Sequence, residues 1–321
     1  MVERSFRTMG TVVRVYVGAR LDARLPDPET MAGIAEAQLT DFGRRLSRFR
    51  PESELSQMNW DRREQVPASA LLRDAVRAGV WAAQRTGGLI DPTLVGQLEA
   101  IGYATSRDGV ESAPLSEAVA EAPPRRCAKP DPGQAWRAIR VLDEAAAISR
   151  PPGLMFDTGG TGKGLAADLL ARTLSAYARF AVDCGGDIRV GGRDPGAEPV
   201  EIEIRHPITG EAAETLAIAS GAVATSGIDA RLWRLPDGRH AHHLIDPSSG
   251  EPAWTGLICA TARAPTALEA DTLAKAALLS GPLGARDHLL PHGGLVVADD
   301  GCVERIAPPH DPLSDSAPAT P

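Results

Sequence analysis

The chain has 321 residues, with 34 Lys+Arg against 42 Asp+Glu and a formal net charge of −8. At 43% hydrophobic content it can bury a large core, so disorder of the whole chain is excluded. The acidic balance argues against nucleic-acid or anionic-membrane partners, both of which select a positive footprint.

Residues 11–17 (TVVRVYV) are rich in β-branched side chains and predict a strand. A helix is predicted over about 29–49, because Met31, Ala35, Leu39, Phe42, Leu46 and Phe49 form one apolar stripe. A second helix, 69–86, stops at Gly87-Gly88. Residues 104–135 are rich in Pro, Ala and charge and predict a loop with one short helix. A short strand at Leu154–Asp157, a glycine-rich turn and a helix over 163–178 follow. From residue 180 the pattern changes to short strands at 180–183, 187–191, 200–205, 215–219, 222–225 and 257–263. A helix at 266–280, a short helix at 283–290 and a strand at 294–298 complete the series. Regular βαβ alternation is absent, so the expected class is α+β with mostly antiparallel sheets and flanking helices. The Pro-rich stretch 307–321 predicts a disordered tail behind one domain at 1–306.

No apolar run exceeds four residues, whereas a membrane span needs about 20. The N-terminus carries charge without an apolar core behind it, so neither a signal peptide nor a lipobox is read there. The cysteines at 127, 184, 259 and 302 form no CxxC pair and read as scattered, mostly buried thiols. Together these features predict a cytoplasmic protein. Aromatic residues are only 4% of the chain, so a flat ring must be recognised by few aromatics and much backbone.

Several segments carry chemistry. Asp157-Thr-Gly-Gly-Thr-Gly-Lys163-Gly164 fails the P-loop pattern, because Asp157 replaces its first Gly and Gly164 its Ser/Thr. It still joins a carboxylate, exposed backbone amides and a helix start carrying a lysine, which suits a phosphate or pyrophosphate; a merely steric tight turn is the alternative. His240-Ala-His242-His243 admits a zinc reading, but strand alternation puts His243 on the opposite face from the other two. A histidine at a strand end also suits acid–base or phosphate work, or a structural turn. Asp271 and Lys275 lie one turn apart on a helix that is otherwise mostly apolar, which favours a site carboxylate over an exposed ion pair. Asp183-Cys-Gly-Gly-Asp187 and Gly87-Gly-Leu-Ile-Asp91-Pro92 each read, taken singly, as turns.

The ordered set is more specific than any member. Met9-Gly-Thr11, Leu46-Ser-Arg-Phe49, Ser53-Glu-Leu-Ser-Gln-Met-Asn59, Gly87 to Thr93, Asp157 to Asp168, Asp183 to Asp187, Ala224 to Gly227, His243 to Gly250, and Ala270-Asp271 together resemble the ApbE-like FAD:protein FMN transferases over about residues 8–300. The resemblance implies a T-fold-like architecture. It implies transfer of FMN from FAD, through a phosphoester, to a Thr or Ser hydroxyl of a target flavoprotein, with release of AMP and dependence on a divalent cation, usually Mg²⁺. It implies that Met9, Phe49, Leu89, Ile90 and Asp91 line the flavin or adenine pocket and that Asp157 and Lys163 contact FAD. It further implies that the Gly160 carbonyl and Asp271 bind magnesium, and that His243, with Lys163, serves catalysis. An FAD pyrophosphatase and a non-catalytic flavin-binding protein are the alternatives. Two departures stand out. Lys275 occupies the position where the family commonly has a metal-ligating Thr, and Thr158 and Thr161 replace apolar neighbours.

Overall fold

Two-residue reversals with left-handed backbone generate the hairpins that organise the sheet. The computed structural model describes residues 1–309, so the predicted tail falls almost wholly outside the described residues. In chain order the elements are β1 (Val2–Thr8), β2 (Thr11–Val17), α1 (Pro28–Arg45), α2 (Glu54–Trp60), β3 (Gln65–Pro67), α3 (Ala70–Arg85), α4 (Val95–Ala100) and α5 (Leu115–Glu121). After a 3₁₀ turn at Ala135–Ala138 come β4 (Arg140–Leu142), β5 (Ala147–Ser149), α6 (Gly162–Leu174), β6 (Phe180–Cys184), β7 (Asp187–Gly191), β8 (Val200–Arg205), β9 (Ala212–Ile218) and β10 (Gly221–Gly227). The chain continues through β11 (Leu232–Arg234), β12 (His240–His242), β13 (Leu257–Ala264), α7 (Ala267–Leu289), β14 (Gly294–Ala298) and β15 (Val303–Ile306).

Eight strands form one sheet in the order β1-β2-β6-β7-β10-β13-β14-β15, and every pairing in it is antiparallel. The expected α+β class with mostly antiparallel sheets is therefore the one observed. Alternation explains β2: Val13, Val15 and Val17 are fully buried while Arg14 points to solvent. α1 packs on β1 and β2, α6 on β6 and β7, and α7 on β10 and β13. A smaller apolar cluster joins Leu94, Leu98 and Tyr103 to Trp233 and Ile245, with Phe49 against it.

Several expectations need correction. Leu154–Asp157 forms no strand. Asn59 donates from Nδ2 to the Phe156 carbonyl and accepts from the Phe156 amide, both at 2.8 Å, and the Asp157 amide donates to the Pro92 carbonyl at 2.8 Å. α1 stops at Arg45 rather than reaching 49, and α6 stops at Leu174 rather than 178. The helices expected at 266–280 and 283–290 do form, as the two halves of α7, separated where Gly281 leaves helical geometry (φ 71°, ψ −179°) before Pro282. Half of the cysteines are buried, not most: Cys127 and Cys302 are exposed. No helix among the described residues is long and apolar enough to cross a membrane.

One contact sets the relation of α6 to α7. A Cβ added at Gly164 would lie 2.6 Å from the Ala267 carbonyl oxygen, so only glycine lets the helices approach this closely. Asp168, one turn later on α6, accepts hydrogen bonds from the Ala267 and Leu268 amides, both at 2.9 Å. It therefore caps the α7 N-terminus together with Thr266, whose hydroxyl accepts from Glu269 N–H. Gly164→Ala should lower stability by about 1–3 kcal/mol, as overpacking in a closed site does. Chemical denaturation would check this, and an unchanged midpoint would contradict it.

Candidate active site

The β1–β2 turn and the N-terminus of α6 border a cavity of about 630 Å³. Eight basic residues line it against three acidic ones, although the whole chain is acidic. Such a basin concentrates anions.

One wall comes from the β1–β2 turn. Met9 and Gly10 have φ of 54° and 69°, the geometry of a type I′ hairpin. A non-glycine in this region is strained, so Met9 is held there by its surroundings, and its side chain lines the cavity. Arg231 Nη2 lies 3.4 Å from where a Gly10 Cβ would stand, which leaves the guanidinium room to enter. The residues after α1 supply an aromatic face. Phe49 and Tyr103 stand 5.4 Å apart, and the Arg48 guanidinium lies 4.1 Å and 4.7 Å from their ring centres. Arg48 also donates to the Tyr103 carbonyl at 2.6 Å and approaches Asp157 at 3.7 Å.

The turn after α3 delivers Leu89, Ile90 and Asp91 to the opposite wall. Asp91 Oδ1 accepts from the Thr93 amide and hydroxyl, while Oδ2 is buried without a partner. Burial pushes its carboxyl above the ordinary carboxylate range. Asp157 and Gly160 line the cavity from the glycine-rich turn. Thr158 ties that turn to the end of α1 by donating to the Leu46 carbonyl at 3.0 Å. At the adjoining N-terminus of α6, the cap residue Thr161 contributes no side-chain hydrogen bond.

Four charged groups form the floor. Lys163 Nζ lies 3.0 Å from Asp187 Oδ2 and donates to the Gly185 carbonyl at 3.2 Å. Lys275 donates to Asp271 Oδ1. Lys163 and Lys275 reach the cavity, whereas Asp187 and Asp271 are 0% and 1% exposed and lie behind them. Burial opposes the charge on Lys163, but the Asp187 and Asp271 carboxylates outweigh it and hold its pKa above the usual lysine value. Burial and the Asp271 charge push the Asp187 carboxyl up to about 6. The two acids of 183–187 thus part company: Asp183 braces the turn by accepting from Gly186 N–H, and Asp187 belongs to the floor.

The histidine cluster divides too. His242 is fully buried, edge-on to Trp254 at 4.8 Å, and burial pulls its pKa down to about 3. His243 lines the cavity, and burial with the charges of Arg231, Lys275 and Lys163 pulls its pKa well below 6.5. It is a neutral imidazole with an unpartnered Nδ1. Among the described residues no group of three His, Cys, Asp or Glu side chains is arranged to hold a metal, so the zinc reading finds no support.

Every expected site residue except Asp271 therefore faces one cavity. Sequence reasoning missed Arg48, Tyr103, Arg107 and Arg231, all of which line the cavity, and assigned Asp187 only to a turn. The clue for Arg48 was present in the Leu46-Ser-Arg-Phe49 motif; nothing local marked the other arginines.

The ApbE family model matches residues 9–295. The chain belongs to the ApbE family. It is 29% identical over 296 residues to an FAD:protein FMN transferase of Klebsiella pneumoniae, covering 89% of this chain and 81% of that protein. A protein of the same name from Escherichia coli is 27% identical, covering 88% of this chain and 79% of that one. Among solved structures, the ApbE protein of Thermotoga maritima aligns with a TM-score of 0.76 at 25% identity, over 95% of this chain and 96% of that one. The flavin transferase ApbE of Vibrio cholerae aligns with a TM-score of 0.72 at 23% identity, over the same shares, and shares the fold.

The magnesium ligands that the resemblance implied can be tested against this floor. Asp271 Oδ2 has no partner, which is what a cation-binding oxygen looks like before binding. Yet Oδ1 is held by Lys275, and the other buried acid faces Lys163. Two carboxylates and two ammoniums sum to no net charge, whereas a divalent cation selects excess negative oxygen. As built, the floor does not fit the metal.

The depressed pKa of His242 has a pH consequence. Its contribution to stability is fully present above about 6.5 and is lost as pH falls toward 3, because only the unfolded chain takes up the proton readily. Between pH 7 and 4 the loss should be on the order of 3 kcal/mol. Denaturant titrations should show a flatter pH dependence for His242→Leu; parallel curves would contradict the assignment.

Proposed function

We propose that the chain transfers FMN from FAD to a Thr or Ser hydroxyl of a partner flavoprotein, releasing AMP. The observation that carries this reading is one cavity that joins an aromatic wall to two inward-facing ammoniums and a neutral imidazole. An aromatic and apolar wall suits a flat ring. Lys163, Lys275, Arg231 and the α6 N-terminus suit a pyrophosphate. The names of the relatives, matched over most of their length, point the same way.

In this reading Met9, Phe49 and Leu89–Asp91 hold a ring of the dinucleotide, while Asp157 and Lys163 contact FAD, Lys163 at the phosphates. The acceptor oxygen attacks the phosphorus on the riboflavin side, and the bond from that phosphorus to the bridging oxygen breaks. AMP departs with the bridging oxygen. The hydroxyl proton passes to His243, which its surroundings keep neutral and ready to accept it. Bound phosphates would offset the cations that now depress its basicity, so the base strengthens as substrate arrives. Lys163 and Arg231 stabilise the charge on the transferring group, which is most of what phosphoryl transfer requires. The Gly160 carbonyl and Asp271 are the hard oxygens available to a divalent cation, and a cation there would have to displace Lys275 from Asp271.

Incubation with FAD and a Thr-containing acceptor should add one FMN, less water, to the acceptor mass. His243→Ala should slow the transfer about 100-fold. Free FMN with an unlabelled acceptor would instead assign water as the acceptor, and FAD bound without AMP release would remove the enzymatic reading.

A further inference from the structure

We propose that the Lys275 ammonium replaces a divalent cation at the pyrophosphate, so that this protein binds and cleaves FAD without added metal. The inference rests on the FAD reading above and concerns how that site neutralises phosphate charge. α7 carries Asp271 and Lys275 one turn apart on the face toward Lys163. The surrounding stretch, Ala270 to Leu279, is otherwise Ala, Leu and one Thr, all buried. Burying an ion pair there is a poor route to stability, because apolar side chains of similar volume do as well or better. A lysine so placed calls for another role.

Its geometry supplies one. The ammonium has three N–H donors, and Asp271 is its one hydrogen-bond partner among the described residues. Two donors remain for a ligand, and Lys275 lines the cavity while Asp271 lies behind it. Lys163 repeats the arrangement on α6, with Asp187 behind it and its charge turned to the same cavity. Each ammonium is thus anchored from below by a carboxylate that never reaches the ligand. With each carboxylate behind its ammonium, the two lysines offer their free N–H donors to phosphate oxygens as directed, charge-assisted hydrogen bonds where a divalent ion would otherwise sit, and neither can act as a metal ligand. The metal seat and Lys275 are mutually exclusive at Asp271 Oδ1.

The test uses the full chain stripped of metal with EDTA. Calorimetric titration with Mg²⁺ alone, and with Mn²⁺ alone, should show no binding at millimolar concentration. FAD binding, followed by flavin fluorescence, should be present in EDTA and change less than about twofold when Mg²⁺ is added. Lys275→Thr should weaken FAD binding in EDTA at least tenfold and make it recoverable by Mg²⁺. Stoichiometric metal binding by the wild type, or FAD binding that appears only with Mg²⁺, would overturn the proposal. Should Lys275→Thr fail to fold by circular dichroism, the wild-type titrations decide alone. No FAD binding with or without metal would instead reject the FAD reading, and this inference with it.

Discussion

The backbone contact between α6 and α7 at Gly164 governs the rest of the molecule. It brings a glycine on one helix against a carbonyl on the other, closer than any side chain would allow. Asp168 then fixes the start of α7 by accepting its first free amides. With the helices locked, Lys163 and the Asp271–Lys275 pair have one mutual position. The β6–β7 reversal at Gly185-Gly186 adds Asp187 from the sheet, and a Cβ at Gly185 would strike the Thr11 hydroxyl at 2.1 Å. Steric minimalism at two glycines is therefore what assembles a four-charge floor.

Burial gives that floor its chemistry. In water, two lysines and two aspartates would be ordinary surface ions. Here the acids are sealed beneath the bases, so their field is felt mainly by the ammoniums and by each other. The raised Lys163 and Asp187 values are opposite faces of this arrangement. The cavity accordingly presents positive charge within a chain of net charge −8. His243, one residue beyond β12, is kept neutral by burial first and by the neighbouring cations second.

Much of this was legible in the residues. The stripe of Met31, Ala35, Leu39 and Phe42 announces α1, and the β-branched run of β2 announces a strand. The apolar context of Asp271 correctly signalled burial. What stayed hidden has physical causes. β1 mixes Glu3, Ser5 and Arg7 with few β-formers, as an edge strand can, because β2 supplies its register. α2 is only seven residues, too short for a periodic stripe. Leu154–Asp157 has strand composition, yet its backbone bonds to the Asn59 side chain and the Pro92 carbonyl rather than to a neighbouring strand, which no local pattern encodes. Arg48, Tyr103 and Arg231 meet only through tertiary packing. The glycine-rich turn and the one-turn spacing of Asp271 and Lys275 were legible in the residues, but that Lys275 faces the cavity with Asp271 behind it emerges only in three dimensions.

The central claim is that a pyrophosphate rests on this floor. A crystal structure of the protein with FAD tests it most directly. The account predicts phosphate oxygens within hydrogen-bond distance of Nζ of both Lys163 and Lys275, with one ring of the dinucleotide against Phe49. Phosphates seated away from both lysines would contradict it.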